Sequence, residues 1–203
     1  MATPPPATPF RRWRFWIPLI LQTALIAAVP AQAVYTHLTG RTVVLKTVPV
    51  DPYDLLRGYS QTLAYDISQP NNLKSLPGWK TIPQEPLPTG ESMPQNTELY
   101  VILQAPTAKN QERPQPWKPV GVSRDRPSNL PSNQIALKGR IENGWQVVYG
   151  LETYYMPENR REEVNKTVTE ANRKQTGAVE IKVDAQGNAI PLRLWVGNQN
   201  YEF

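Results

Sequence analysis

Residues 15–38, FWIPLILQTALIAAVPAQAVYTHL, contain no Lys, Arg, Asp or Glu. About 20 apolar residues cross a bilayer as a helix, so this run predicts a membrane-spanning helix over 15–39 behind a short tail, 1–14. Pro18 falls in the first turn, where it is tolerated, and Pro30 falls inside, where it kinks. Beyond the run the period changes. TVVLKTV (42–48) is β-branched and reads as a strand. DPYDLLRG (51–58) reads as a helical turn capped by Asp51, opened by Pro52 and stopped by Gly58. Residues 59–67 alternate, with Tyr59, Leu63, Tyr65 and Ile67 on one face of a strand. Six prolines between 69 and 96 predict a long surface excursion with at most a short strand or helix. LYVILQ (99–104) predicts a central strand. A second Pro-rich loop (106–116) precedes a strand over 117–122, and another loop covers 124–132. Residues 135–141 and 145–149 flank Asn143-Gly144, a tight hairpin signal, and 151–156 continues extended. Pro157 opens a polar helix over 158–174 whose narrow stripe of Val164, Val168 and Ala171 places it on the surface. A last hairpin joins 178–183 to 189–196 around Asp184–Asn188. The sum is a mainly β (α+β) chain: one transmembrane helix, then an antiparallel β-rich domain over 40–203 with about eight strands and one or two peripheral helices.

Charge orients the helix. Arg11, Arg12 and Arg14 stand directly before it, and basic flanks stay on the cytoplasmic side. The domain is therefore expected outside, in a periplasm or lumen, behind a bacterial inner or internal membrane. Trp13 and Trp16 at one end and Tyr35 near the other suit an aromatic belt. Ala31-Gln32-Ala33 fits a signal-peptidase site, but the run has spanning length, which favours a retained anchor over a cleaved signal. Three of the five net positive charges are the arginines of the tail, and no acid precedes residue 15. The remaining +2 does not suggest nucleic-acid binding.

With no Cys and one His, His37, the chain cannot build disulfides, thiolate metal sites, a His-rich metal site or a Ser-His-Asp triad. The 22 prolines, about twice the usual share, argue against a helical bundle. Neither a metal nor a cofactor is expected. Asp51, Asp54 and Asp66 lie close in sequence, but capping by Asp51, pairing of Asp54 with Arg57 and a strand position for Asp66 account for them better than cation binding or acid–base chemistry. Asp51, Asp54, Arg57 and Gly58 are instead the candidate partner surface, because they follow the first strand after the anchor. Gly90-Glu91-Ser92-Met93-Pro94 faintly resembles the Ser-Met box of type I signal peptidases. Ser92 would need a neutral lysine, for which Lys138 is the candidate. The match is two residues in a Pro-rich loop, so no catalytic residue is assigned. Trp79, Trp117, Trp145 and Trp195, with Tyr154 and Tyr155, suit core packing more readily than a stacking platform for a glycan or peptide. Asp184–Asn188 lacks the bidentate Glu of a Ca²⁺ loop and reads as a hairpin turn. The mixed charges over 160–174 read as a solvated helix face.

Val48-Pro49-Val50-Asp51-Pro52-Tyr53-Asp54-Leu55-Leu56-Arg57-Gly58 followed by Leu63-Ala64-Tyr65 resembles the signature of the GDYXXLXY family. Leu137-Lys138-Gly139-Arg140, the run 149–158 (YGLETYYMPE) and the closing run 179–187 (VEIKVDAQG) resemble its later motifs. Tyr59 and Ser60 stand where the naming motif has Asp-Tyr, and Asn159 where a Gly often follows. The family is named for its motif, so the resemblance implies a membrane-anchored bacterial protein, often encoded near polytopic membrane proteins, and no activity. The expected role is a non-catalytic accessory protein in the lipid bilayer, associated with a polytopic partner through its helix and outer domain. Ala24, Ala27, Ala28 and Ala31 would permit close helix packing. The alternatives are a periplasmic ligand-binding module and, more remotely, a Ser–Lys hydrolase.

Overall fold

The computed structural model describes residues 13–48, 60–83, 85–87, 90–107, 114–143, 146–155, 177–197 and 199–202. It opens with helix α1, Trp13–Thr39, two residues earlier than the apolar run predicts. Thr36 is its one buried residue. The helix before Gln32 projects from the domain, with Val29 82% exposed. It is long and apolar enough to cross a membrane.

Strand β1, Arg41–Val48, follows at once. Residues 59–67 do not form the single strand expected. Ser60–Thr62 (β2) and Ala64–Tyr65 (β3) belong to different sheets, and Asp66–Ser68 closes into a 3-10 turn. The break falls after Leu63, whose N–H still donates to the Glu152 carbonyl at 2.7 Å, next to Thr153 opposite Thr62, before Ala64 turns to pair with β1. The alternation still holds in outcome, because Leu63, Tyr65 and Ile67 are all buried.

The Pro-rich stretch from 69 to 96 is not a surface excursion. It holds a short helix α2, Pro70–Leu73, a 3-10 turn, Trp79–Thr81, and a two-stranded ribbon of β4, Glu85–Leu87, and β5, Gly90–Ser92. Leu73, Trp79, Ile82 and Met93 are buried in the main core. Among the described residues, proline confines regular pairing here to that short ribbon, but an irregular backbone can still deliver isolated apolar side chains inward.

The second half is more regular. Strands β6, Glu98–Gln104, β7, Lys118–Ser123, β8, Gln134–Glu142, and β9, Gln146–Val148, form an antiparallel sheet in the order β7-β6-β8-β9. Leu99, Val101 and Leu103 of β6 point into the core, as the alternation predicts. The short strand β10, Thr153–Tyr155, pairs with β2. Strands β11, Gly177–Val183, β12, Ala189–Val196, and β13, Gln199–Glu202, complete the second main sheet, in the order β13-β12-β11-β1-β3. β1 runs antiparallel to β11, with Arg41 opposite Val183 and Lys46 opposite Ala178. β13 was not foreseen. Its sequence QNYE has no apolar run, and only Tyr201 turns inward. Among the described residues thirteen strands stand where about eight were expected, the extra ones mostly of two to four residues.

Both main sheets feed one hydrophobic cluster, Val43, Leu45, Val179 and Ile181 from one and Leu99, Val101, Leu137 and Ile141 from the other. The architecture is the expected one, an apolar N-terminal helix followed by antiparallel sheets, with little other helix among the described residues. The expected turn at 51–58 and the polar helix over 158–174 lie outside the described residues.

Candidate functional site

Two clusters of side chains stand out, at different places in the fold. The first gathers the signature residues. Leu63, Tyr65 and Leu151 are buried together with Tyr149. The Tyr65 hydroxyl donates to the Leu151 carbonyl at 2.6 Å, and the Tyr149 hydroxyl donates to the Ile67 carbonyl at 2.7 Å. The Glu152 carboxylate accepts the Tyr149 N–H at 2.6 Å. Burial, with the Glu152 charge adding to it, raises the pKa of both phenols, and Asp66 adds to the shift at Tyr149. Both phenols therefore stay protonated donors. Gly139 completes the knot. A Cβ there would lie 2.7 Å from Val147 Cγ1 and 2.9 Å from Tyr149 Cε1, so the glycine makes room for the ring. Among the described motif residues, Leu63, Tyr65, Gly139, Tyr149 and Leu151 are consumed in packing and buried hydrogen bonds.

The second cluster joins the helix to the domain. Asp184 lies in the turn between β11 and β12 and is 1% exposed. Its Oδ2 accepts from Thr36 Oγ1 at 2.8 Å and from Gln32 Nε2 at 2.8 Å, both on α1. Its Oδ1 accepts the N–H groups of Gln186 and Asn188, each at 2.9 Å. Burial alone would raise the carboxyl pKa. Donation from Thr36, Asn188 and the amides of Asn188 and Gln186 outweighs it, and the net shift is downward. The carboxylate is therefore charged and fully hydrogen-bonded, the condition under which a buried acid is tolerated. Beside it, Lys182 Nζ donates to the His37 carbonyl of the helix's last turn, a favourable place for a cation. The same turn reaches the other sheet. The Gly187 carbonyl accepts the Lys138 N–H at 2.9 Å. Gly187 has φ +90°, and a Cβ there would sit 3.1 Å from the Ala136 carbonyl oxygen, so both its backbone angle and its space favour glycine. One turn thus ties together α1, β11, β12 and β8.

The other sequence candidates separate. Asp51, Asp54, Arg57 and Gly58 lie outside the described residues, as do Arg11, Arg12 and Trp145; Arg14 lies in the first turn of α1. Asp66 begins the 3-10 turn rather than sitting on a strand face. Its pKa is raised by burial, with backbone hydrogen bonds and Lys46 opposing the shift. Among the described residues there is no group of three or more metal-binding side chains. Ser92 ends β5. Lys138 is paired with Glu98 at 2.7 Å, and that hydrogen bond raises its pKa. A lysine serving as base for a serine needs the opposite shift. The three described tryptophans of the candidate set lie in separate settings. Trp79 is a core residue. Trp117 lies under the Arg41 guanidinium, 5.6 Å from its ring centre. Trp195 donates its indole N–H to Glu180 at 3.1 Å.

Sequence reasoning missed the joint at Asp184 and took it for a plain hairpin turn. The available signal was Gln32 and Thr36, two polar residues four apart, hence on one face of an apolar helix.

A family model described as GDYXXLXY protein matches residues 22–194. No curated protein and no solved structure matches the chain.

Proposed function

The chain belongs to the GDYXXLXY family, and on that premise we propose that it is a membrane-anchored accessory protein, without catalysis of its own, that holds a β domain in a fixed pose against a polytopic membrane partner. The observation that carries this reading is the joint between Gln32, Thr36 and Asp184. A flexible tether would need no buried carboxylate to receive its last turns. A rigid joint makes the orientation of the domain relative to the membrane part of the design.

The same joint supports retention of the helix. Ala31-Gln32-Ala33 is helical, and Gln32 is bonded into the domain. Cutting after Ala33 would require this stretch to unwind and would remove one of Asp184's two helix donors. The family match also begins inside the helix, at residue 22, so its outer half belongs with the domain. The basic residues before the helix favour a cytoplasmic N-terminus and an outer domain. The exposed apolar side chains of α1, among them Phe15, Ile20, Leu25 and Val29, suit lipid and a neighbouring helix. The state of Lys138 and the packing of the tyrosines give a hydrolase no support.

Co-purification from native membranes in mild detergent tests the partner. A polytopic protein retained in stoichiometric amount, and lost when α1 is replaced by an unrelated apolar helix, is the expected result. Recovery of the intact, anchored chain as a lone monomer from membranes that contain its neighbours would count against it.

A further inference from the structure

The end of α1 shapes one wall of a cavity. A hollow of about 320 Å³ is bordered by Thr39 and Arg41 where the helix passes into β1, by Arg126, Ser128 and Ser132 of the loop before β8, and by Asp184 of the joint. That volume falls in the range of small-molecule sites, roughly 300–1,000 Å³.

Its height above the membrane follows from the helix. From Phe15 to Ala33 an α-helix rises about 27 Å, close to the ~30 Å hydrocarbon core. Gln32 and Val34 then stand at the boundary, and Thr39 about 8 Å beyond Val34. The headgroup layer adds roughly 5–7 Å on each side of the core. Because Gln32 bonds to Asp184, and Asp184 borders the cavity, the hollow begins at headgroup level.

Its charge is the second observation. The Arg41 guanidinium is fixed by donation to the Ser132 carbonyl at 2.7 Å and the Gln134 carbonyl at 3.0 Å, and by its place over Trp117. These partners are neutral, so they position the cation without cancelling it. Arg126 adds a second charge from an exposed position. The one carboxylate of the six, Asp184, is turned to its own donors.

We propose that this cavity binds the phosphate of an anionic phospholipid headgroup, with Arg41 and Arg126 as its cations and the hydroxyl-bearing Ser128 and Ser132 in the same wall. The planar fork of Arg126 matches phosphate geometry, while Arg41, whose terminal nitrogens already donate to carbonyls, supplies charge. A bound headgroup would fix the domain against the bilayer at a second point besides α1. The inference rests on the reading of α1 as a membrane-spanning helix.

The test is native mass spectrometry of the full-length chain in neutral detergent, titrated with phosphatidylglycerol, phosphatidylcholine or inorganic phosphate. Arg126→Glu and Arg126→Gln are compared with Arg140→Glu, which lies at the other end of β8, and thermal melts check that each variant folds. Preference for phosphatidylglycerol over phosphatidylcholine is expected. Apparent affinity should fall about tenfold in Arg126→Glu, less in Arg126→Gln, and stay unchanged in Arg140→Glu. Equal binding of the two lipids, equal loss in Arg126→Glu and Arg140→Glu, or no loss in Arg126→Glu would overturn the proposal. Inorganic phosphate binding as tightly as the lipid would also overturn it, in favour of a soluble anion. The purified chain carries α1 by construction, so a negative result speaks to the cavity and leaves the accessory reading to its own co-purification test.

Discussion

Replacing Asp184 by Ala removes the acceptor for two helix donors and two turn amides at once. Hydrogen bonds to a charged group contribute roughly 1.5–3 kcal/mol each when partners cannot reach water, but the losses will not simply add. The Gln186 amide lies in an exposed turn and can find solvent. Thr36 is 1% exposed, yet its hydroxyl can swing to a carbonyl one turn back, as Thr23 and Thr39 already do. A net cost of about 3 kcal/mol follows, which is roughly 6–12 °C in Tm for a domain of this size. Asp184→Asn keeps an acceptor oxygen but turns an amide toward donors, and about half that loss is expected. Stability alone would not identify the joint, so its geometry has to be read too. The chain has no Cys, and paired spin labels can be placed cleanly at Val29 on the helix and Ser128 on the domain, both exposed. Pulsed dipolar spectroscopy should give one narrow distance in the otherwise native chain and a broad distribution in Asp184→Ala. A Tm change below about 2 °C together with an unchanged narrow distance would refute the reasoning.

The same carboxylate sets a pH dependence. Its folded pKa lies below its ordinary value, so its contribution is complete above roughly pH 4 and is lost as pH falls through the folded value. The Tm gap between the native chain and Asp184→Asn should therefore close in acid, and a gap that is constant from pH 7 to pH 3 would show that the charge is not responsible. Gly139→Ala forces a methyl to within 2.7 Å of Val147 Cγ1; overpacking of this kind costs about 1–3 kcal/mol, measurable as a lower urea midpoint. Tyr65→Phe leaves the buried Leu151 carbonyl without its hydroxyl donor and should cost about 1–2 kcal/mol by the same measurement, whereas no loss would mean that water or another donor replaces it. Glu98→Gln breaks the pair with Lys138, but both side chains are largely solvated, so stability should change by less than about 0.5 kcal/mol, while the Lys138 pKa, followed by NMR, should fall toward its ordinary value.

Regular segments were the most legible in the sequence. The helix, the alternating strand 98–104 and the final hairpin over 177–196 each carry their own period, and burial follows it at Leu99, Val101 and Leu103 and at Val179, Ile181 and Val183. What failed was non-periodic. Leu73, Trp79, Ile82 and Met93 are single apolar residues among prolines, and nothing local says whether such residues point in or out. Leu63 gave no sign that the chain changes sheets just after it, from a pairing with residues almost ninety positions on to one with β1. The motif residues were visible as a signature, but their purpose emerges only when Tyr65 meets Leu151 and Gly139 meets Tyr149. Asp184 shows the limit most plainly. As a turn residue it already had a sufficient local explanation, its bonds to the amides of Gln186 and Asn188. Its partners on α1 lie 148 and 152 residues away, and only the packing of the helix end against β11 and β12 brings them within reach.

The central claim is that the apolar helix remains part of the mature protein and ends inside its fold. The intact mass of the chain extracted from host membranes tests this without mutation or partner. A mature protein whose mass includes the whole helix, Trp13–Thr39, is the predicted result. A mature protein beginning at Val34, cut after Ala31-Gln32-Ala33, would contradict it.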